Sequence, residues 1–206
     1  PYEEDGSGVA LNILLYDSDG KPVGHSVPRV NIDPLVSGTT VVDISTHVPD
    51  PLKWSAEKPH LYTLALELTK EDELIERVER SVGFREIEIR DGQLYLNGTR
   101  IKLAGANRHE IDPLTGRADT MKYAEEDLKL MKAANLNYVR TSHYPPPQEL
   151  LDAADRLGMY VEVEAPICWW GNGNDVSVLQ EVLGPVSAMV DYHHTHPSVI
   201  IWSLAN

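Results

Sequence analysis

A change of hydrophobic rhythm near residue 100 constrains this chain more than any other feature. Beyond it, short β-rich runs alternate with stretches of helical period. Ile101-Lys102-Leu103-Ala104-Gly105-Ala106, Tyr138-Val139-Arg140, Met159 to Val163 and Val199 to Leu204 read as strands. One predicted helix runs from Met121 to Ala134, with Thr120 as its cap and Ala124, Leu128 and Met131 on one face. A second starts at Pro147, carries Leu150, Leu151, Ala154 and Leu157, and ends at Gly158; a third runs from about Pro185 to His194. Strands joined by helices through short links make a parallel sheet with right-handed crossovers. Both a doubly wound sheet and a (β/α)8 barrel begin this way. No Gly-rich phosphate loop follows any of the strands, which argues against dinucleotide binding. In both architectures the carboxyl ends of the strands form the site. In this chain those ends are polar: Asn107-Arg108-His109-Glu110, Thr141-Ser142-His143-Tyr144, Glu164 and Asn206.

Residues 1–90 have a different rhythm. Val9 to Tyr16, Thr40 to Ile44 and Leu61 to Leu68 read as strands, the last with clean period-2 alternation. Glu76 to Phe84 reads as a fourth, paired with the third across a polar Lys70–Glu73 turn. Short strands, turn clusters such as Asp17-Ser18-Asp19-Gly20 and an absence of helical period predict a β-sandwich. The expected division is therefore a sandwich over 1–90 and a strand–helix domain over 91–206.

Composition excludes some partners. The net charge is −14 and no Lys/Arg cluster stands out, so a nucleic-acid partner is not expected. No apolar run approaches the roughly 20 residues of a membrane span, so no membrane partner is expected either. The single cysteine, Cys168, rules out an internal disulfide framework. Pro1-Tyr2-Glu3-Glu4 shows neither an initiator Met nor a leader, and both ends read as cut.

Several segments together resemble glycoside hydrolase family 2, the β-galactosidase and β-glucuronidase family. They are Gly83-Phe84-Arg85-Glu86, Leu96-Asn97-Gly98, Gly105 to Glu110, Val139 to Pro145, and His196-Pro197-Ser198 through Trp202 to Asn206. Trp54-Ser55-Ala56-Glu57-Lys58-Pro59-His60-Leu61-Tyr62 is similar to part of the immunoglobulin-like domain that precedes the family's barrel. The resemblance implies an immunoglobulin-like sandwich, followed by the first half of a TIM barrel containing strands one to four. It implies a retaining β-glycosidase, most like β-galactosidase, with an acid/base and a nucleophile carboxylate about 5–5.5 Å apart. In the family the acid/base Glu follows the Asn matched by Asn206, and the nucleophile comes later. Neither is then within these 206 residues, and no catalytic residue is expected among them. β-Glucuronidase and β-mannosidase share most of the motifs, and a non-catalytic carbohydrate-binding or structural module is the alternative for the chain alone.

By the same resemblance, Asn206, His143 and His109 contact sugar hydroxyls, and Arg140 lines the site. Glu110 and Glu164 would look like an acid/base pair on sequence alone; the resemblance makes them supporting acids. Trp169 or Trp170 is expected to stack on a sugar face, against the plainer reading of a ring packed on the barrel rim. The best-known β-galactosidases hold Mg²⁺ with a Glu and a His two residues apart. Those positions in this chain are Cys168 and Trp170, poor partners for a hard cation, so no cofactor and no metal is expected. The run His193-His194-Thr195-His196 suits a helix end better than a metal site. The unpaired edges of an open half-barrel predict a homo-oligomer or association with the missing half.

Overall fold

The computed structural model describes residues 8–23, 29–32, 41–118, 121–168 and 179–206. Contacts group the chain into two compact units, residues 1–52 with 61–82, and 53–60 with 83–206.

In the first unit, β1 (Val9–Tyr16), β2 (Val30–Asn31), β3 (Tyr62–Lys70) and β4 (Glu73–Val82) form an antiparallel sheet in the order β2-β1-β3-β4. The β3–β4 hairpin turns through Glu71 and Asp72, both at positive φ (49° and 69°). Two left-handed residues match the twist of the strands they join. The strand expected over Thr40–Ile44 is not formed. Residues 41–48 lie outside regular structure, and Thr40 lies outside the described residues. The position beside β1 is taken by Val30–Asn31, and Val41 is 81% exposed.

The second unit contains a three-stranded antiparallel meander that the sequence pattern did not predict, β5 (Ile87–Arg90), β6 (Gln93–Leu96) and β7 (Thr99–Arg100). Its turns are Asp91-Gly92 and Asn97-Gly98, all four residues at positive φ. Both dipeptides are strong hairpin signals. Then come β8 (Gly105–Arg108), α1 (Met121–Ala133), β9 (Tyr138–Thr141), α2 (Gln148–Leu157), β10 (Tyr160–Glu164), α3 (Leu179–His193) and β11 (Val199–Ser203). Strands β8 to β11 pair in parallel and in sequence order. This is one consecutive arc of a β/α barrel.

Two boundaries differ from expectation for identifiable reasons. The first barrel strand starts at Gly105, four residues late, because Asn137 holds the preceding backbone in a non-strand path. Its side chain accepts from Ala104 N (2.8 Å) and donates to Lys102 O (3.0 Å). Gly105 then passes so close to β9 that a Cβ would sit 1.8 Å from Tyr138 O. Helix α3 begins six residues before Pro185 and carries it internally. The proline forfeits one helical hydrogen bond. Val182, Val186, Met189 and Val190 nonetheless form an apolar stripe against the core, and that burial decides the helix's extent.

Ala124 and Leu128 of α1, Leu150, Leu151 and Ala154 of α2, and Val139, Val161, Val163 and Val199 of the sheet are all buried in one core. The strand residues alternate, so Tyr138, Arg140, Glu162 and Glu164 occupy the opposite, concave face. Thr120, expected to cap α1, lies outside the described residues. Gly158 closes α2 at φ 72°, and a Cβ there would lie 2.2 Å from Ala56 O. No helix among the described residues is long and apolar enough to cross a membrane.

Beneath the sheet, His196 Nδ1 meets the buried Asp155 carboxylate at 2.6 Å, and Asp155 also accepts from Ser198 N at 2.9 Å. Beside this pair His193 is only 3% exposed, and burial followed by the positive field of His196 pushes its pKa down to about 4. The folded chain refuses a proton that the unfolded chain accepts below about 6.5, so stability falls as pH drops from about 6.5 to about 4. Urea midpoints measured over that window should show a loss of about 3 kcal/mol. The loss should shrink in His193→Gln.

Candidate active site

The concave face carries a polar network, built where β9, β10 and β11 end. Glu164, the last residue of β10, is fully buried at its centre. Arg140 of β9 donates to it from Nε at 2.6 Å and again from Nη2. His143 Nδ1 faces its other oxygen at 2.7 Å, and the Ser203 hydroxyl donates at 2.9 Å to the oxygen that Arg140 holds. Arg140 Nη2 also reaches Asn206 Oδ1 at 3.2 Å. Burial alone would raise the Glu164 pKa, but the bonds from His143, Ser203 and Arg140 outweigh it and hold the carboxyl below its ordinary value. It is a fixed anion.

A second layer lies one strand step deeper. The Tyr138 hydroxyl donates to Glu162, and Arg140 Nε lies 3.5 Å from that carboxylate. Burial and the bond to Glu162 push the Tyr138 phenol pKa up. Thus Arg140 bridges two stacked acids, and its planar fork fixes their relative position.

His109 follows β8 and packs edge-on against His143, with ring centroids 5.2 Å apart. Tyr144 lies beyond it, and its hydroxyl accepts from Glu110 N at 3.1 Å. Glu110 is bound to Arg108, which also donates to Asp127 at 2.9 Å. Its second oxygen is buried without a hydrogen-bond partner.

The geometry therefore gathers Arg140, His143, Glu164 and Asn206 into one network, with His109 against its rim. Glu110 sits apart, paired with Arg108. Trp169 and Trp170 lie outside the described residues. Ser203, Tyr138 and Glu162 join the network without having been expected from sequence. Period-2 alternation was the available signal for Tyr138 and Glu162, because each lies two residues before a predicted site residue on the same strand.

Comparison with known proteins decides the family. Residues 87–206 match the model described as glycosyl hydrolases family 2, TIM barrel domain, and residues 3–85 match that of glycosyl hydrolases family 2. The chain belongs to glycosyl hydrolase family 2. Its fold is accordingly the family's sandwich followed by the start of its TIM barrel. It is 36% identical over 220 residues to a β-galactosidase of Priestia megaterium, matching 100% of this chain and 21% of that protein. It is 40% identical over 215 residues to one from Aeromonas hydrophila, covering 98% of this chain and 21% of that protein. The crystal structure of a Parabacteroides merdae β-glucuronidase superposes with a TM-score of 0.84 at 33% identity, over 98% of this chain and 26% of that one. The chain thus spans about a fifth of the length of the curated relatives it matches.

Of the two positions compared above with Mg²⁺ ligands, Cys168 brings a sulfur, a poor donor for a hard cation, and Trp170 lies outside the described residues. Cys168 Sγ lies 3.5 Å from the backbone oxygen of His143. One oxygen of the nearby Glu164 carboxylate is already held by Arg140 and Ser203.

Proposed function

We propose that this polar strand-end cluster is part of the sugar subsite of a retaining β-glycosidase acting on terminal β-galactosides. One observation carries the reading: Arg140 and His143 converge on the buried Glu164 carboxylate, while Arg140 also reaches Asn206, all at the carboxyl ends of parallel strands. Barrel enzymes assemble their sites at those ends. The β-galactosidases among the relatives support the substrate class.

In this reading His143, His109 and Asn206 hydrogen-bond sugar hydroxyls, and Arg140 orients carboxylates. Glu164 positions Arg140 and His143, Glu110 is held in its own pair with Arg108, and neither carboxylate transfers a proton. A general acid needs a raised pKa and access to the leaving oxygen. Glu164 has the opposite shift and no exposed surface. We therefore assign no acid/base or nucleophile within these residues, and no Mg²⁺-dependent step. The two-carboxylate retaining chemistry would be supplied by other parts of an intact family 2 barrel.

β-Glucuronidase is the second reading, favoured by the superposition on the Parabacteroides merdae enzyme. The test is hydrolysis of nitrophenyl β-galactoside and β-glucuronide by the 206-residue chain. Neither should turn over. Turnover that Glu164→Gln abolishes would make Glu164 catalytic and overturn its assignment as a positioning group.

Strands β8 and β11 each have one unpaired edge among the described strands. Ile87, Ile89, Leu94, Ile200 and Ile201 line an apolar cleft of about 410 Å³ in the same unit. Open edges and apolar clefts favour association. Size-exclusion chromatography should show a dimer or larger species that dissociates on dilution. A monomer at high concentration would contradict this.

A further inference from the structure

We propose that His143, Glu164 and Cys168 form a binding site for a thiophilic divalent cation of the Zn²⁺ class. A ring nitrogen of His143, a carboxylate oxygen of Glu164 and the Cys168 sulfur all lie within 4.8 Å of one another. Tetrahedral Zn²⁺, with bonds of about 2.0–2.3 Å, holds its ligands roughly 3.3–3.8 Å apart. The 2.7 Å contact between His143 Nδ1 and Glu164 has to widen slightly, and the thiol to close in, by well under a side-chain rotamer step.

The donor set is selective. One thiolate, one imidazole and one carboxylate suit Zn²⁺ or Co²⁺, whereas Mg²⁺ and Ca²⁺ prefer an all-oxygen shell. Three protein ligands leave a fourth position for water, the open arrangement of an exchangeable zinc site.

The surroundings are already organised for it. Ser203 and Arg140 hold one Glu164 oxygen and leave the other facing His143. Such outer partners fix a ligand's orientation. Cys168 is free and half-buried, so its sulfur is open to an incoming ion. Thiolate and carboxylate offset the ion's two positive charges. Arg140 keeps Glu162 as an alternative partner, 3.5 Å away. On binding, the thiol releases one proton, and the coordinating imidazole nitrogen carries none, its ring proton residing on the other nitrogen. The ion would occupy His143 and so compete with any sugar there, but the site's existence does not depend on the sugar reading.

Co²⁺ titration of the reduced 206-residue chain tests this. The expected result is one equivalent bound, with a thiolate-to-cobalt charge-transfer band and tetrahedral d–d absorption. One proton should be released per ion, with displacement by Zn²⁺ and none by excess Mg²⁺. Cys168→Ser should remove the band. His143→Ala should weaken Co²⁺ at least about tenfold, since loss of even an outer-shell partner costs about 10–100-fold. Asp152→Asn, at the separate Asp152–Asp155–His196 cluster, should leave the band unchanged. Circular dichroism establishes that each variant is folded. No band with folded wild-type chain, a band insensitive to His143→Ala, or displacement by Mg²⁺ would each overturn the proposal.

Discussion

Glu164→Ala is expected to destabilise the barrel unit by about 3–5 kcal/mol, read as a shift in urea midpoint at pH 7. The carboxylate is fully buried and serves Arg140, His143 and Ser203 at once. Removing it strands a guanidinium and an imidazole in a partly desolvated face. Breaking one side of a buried pair is far more damaging than replacing both. Glu164→Gln keeps an oxygen acceptor and should lose much less. A loss below about 1 kcal/mol in the alanine variant would mean that Arg140 re-pairs freely with Glu162, and that the network is not preorganised.

The second large effect is expected at Trp54. It is fully buried, and packs edge-on against Tyr160 with ring centroids 5.9 Å apart. Its indole N–H donates to Asp155 O at 2.9 Å, and Asn97 Nδ2 donates to its backbone oxygen at 3.0 Å. It thereby joins the 53–60 segment, the β6–β7 turn and α2 within one unit. Trp54→Ala should cost about 3–5 kcal/mol through cavity formation and an orphaned carbonyl. Trp54→Phe keeps the ring bulk, loses the N–H, and should fall between the two. Differential scanning calorimetry on the three chains orders them.

The pattern of alternating strands and helices was readable because it rests on local periodicity. Leu128, Leu150, Leu151 and Val161 are core residues in the structure for the reason their spacing implies. What was not readable came from long-range competition. The Thr40–Ile44 run has strand propensity, but Val30–Asn31 holds the place beside β1, and propensity cannot report an occupied edge. Pro185 marks a helix start by rule, yet the stripe of Val182, Val186 and Val190 carries the helix through it. The Asp155–His196 pair joins residues 41 positions apart, and nothing in their spacing announces it.

The candidate site divides in the same way. Arg140, His143, Glu164 and Asn206 were legible as polar strand ends and from the family motifs. Ser203 was not, because a hydroxyl inside an apolar strand looks like any satisfied serine until Glu164 is seen beneath it. Glu110 lies close to the predicted site in sequence, but Arg108 draws it into its own pair.

The most direct test of the sugar-subsite assignment is an imidazole ¹H–¹⁵N titration of the folded chain with galactose, and in parallel with glucuronic acid. Saturable shifts are predicted at His143 and His109, larger for galactose, abolished by Asn206→Ala, with His193 and His196 unmoved. No saturable shift at His143, or equal shifts at all four histidines, would contradict the assignment.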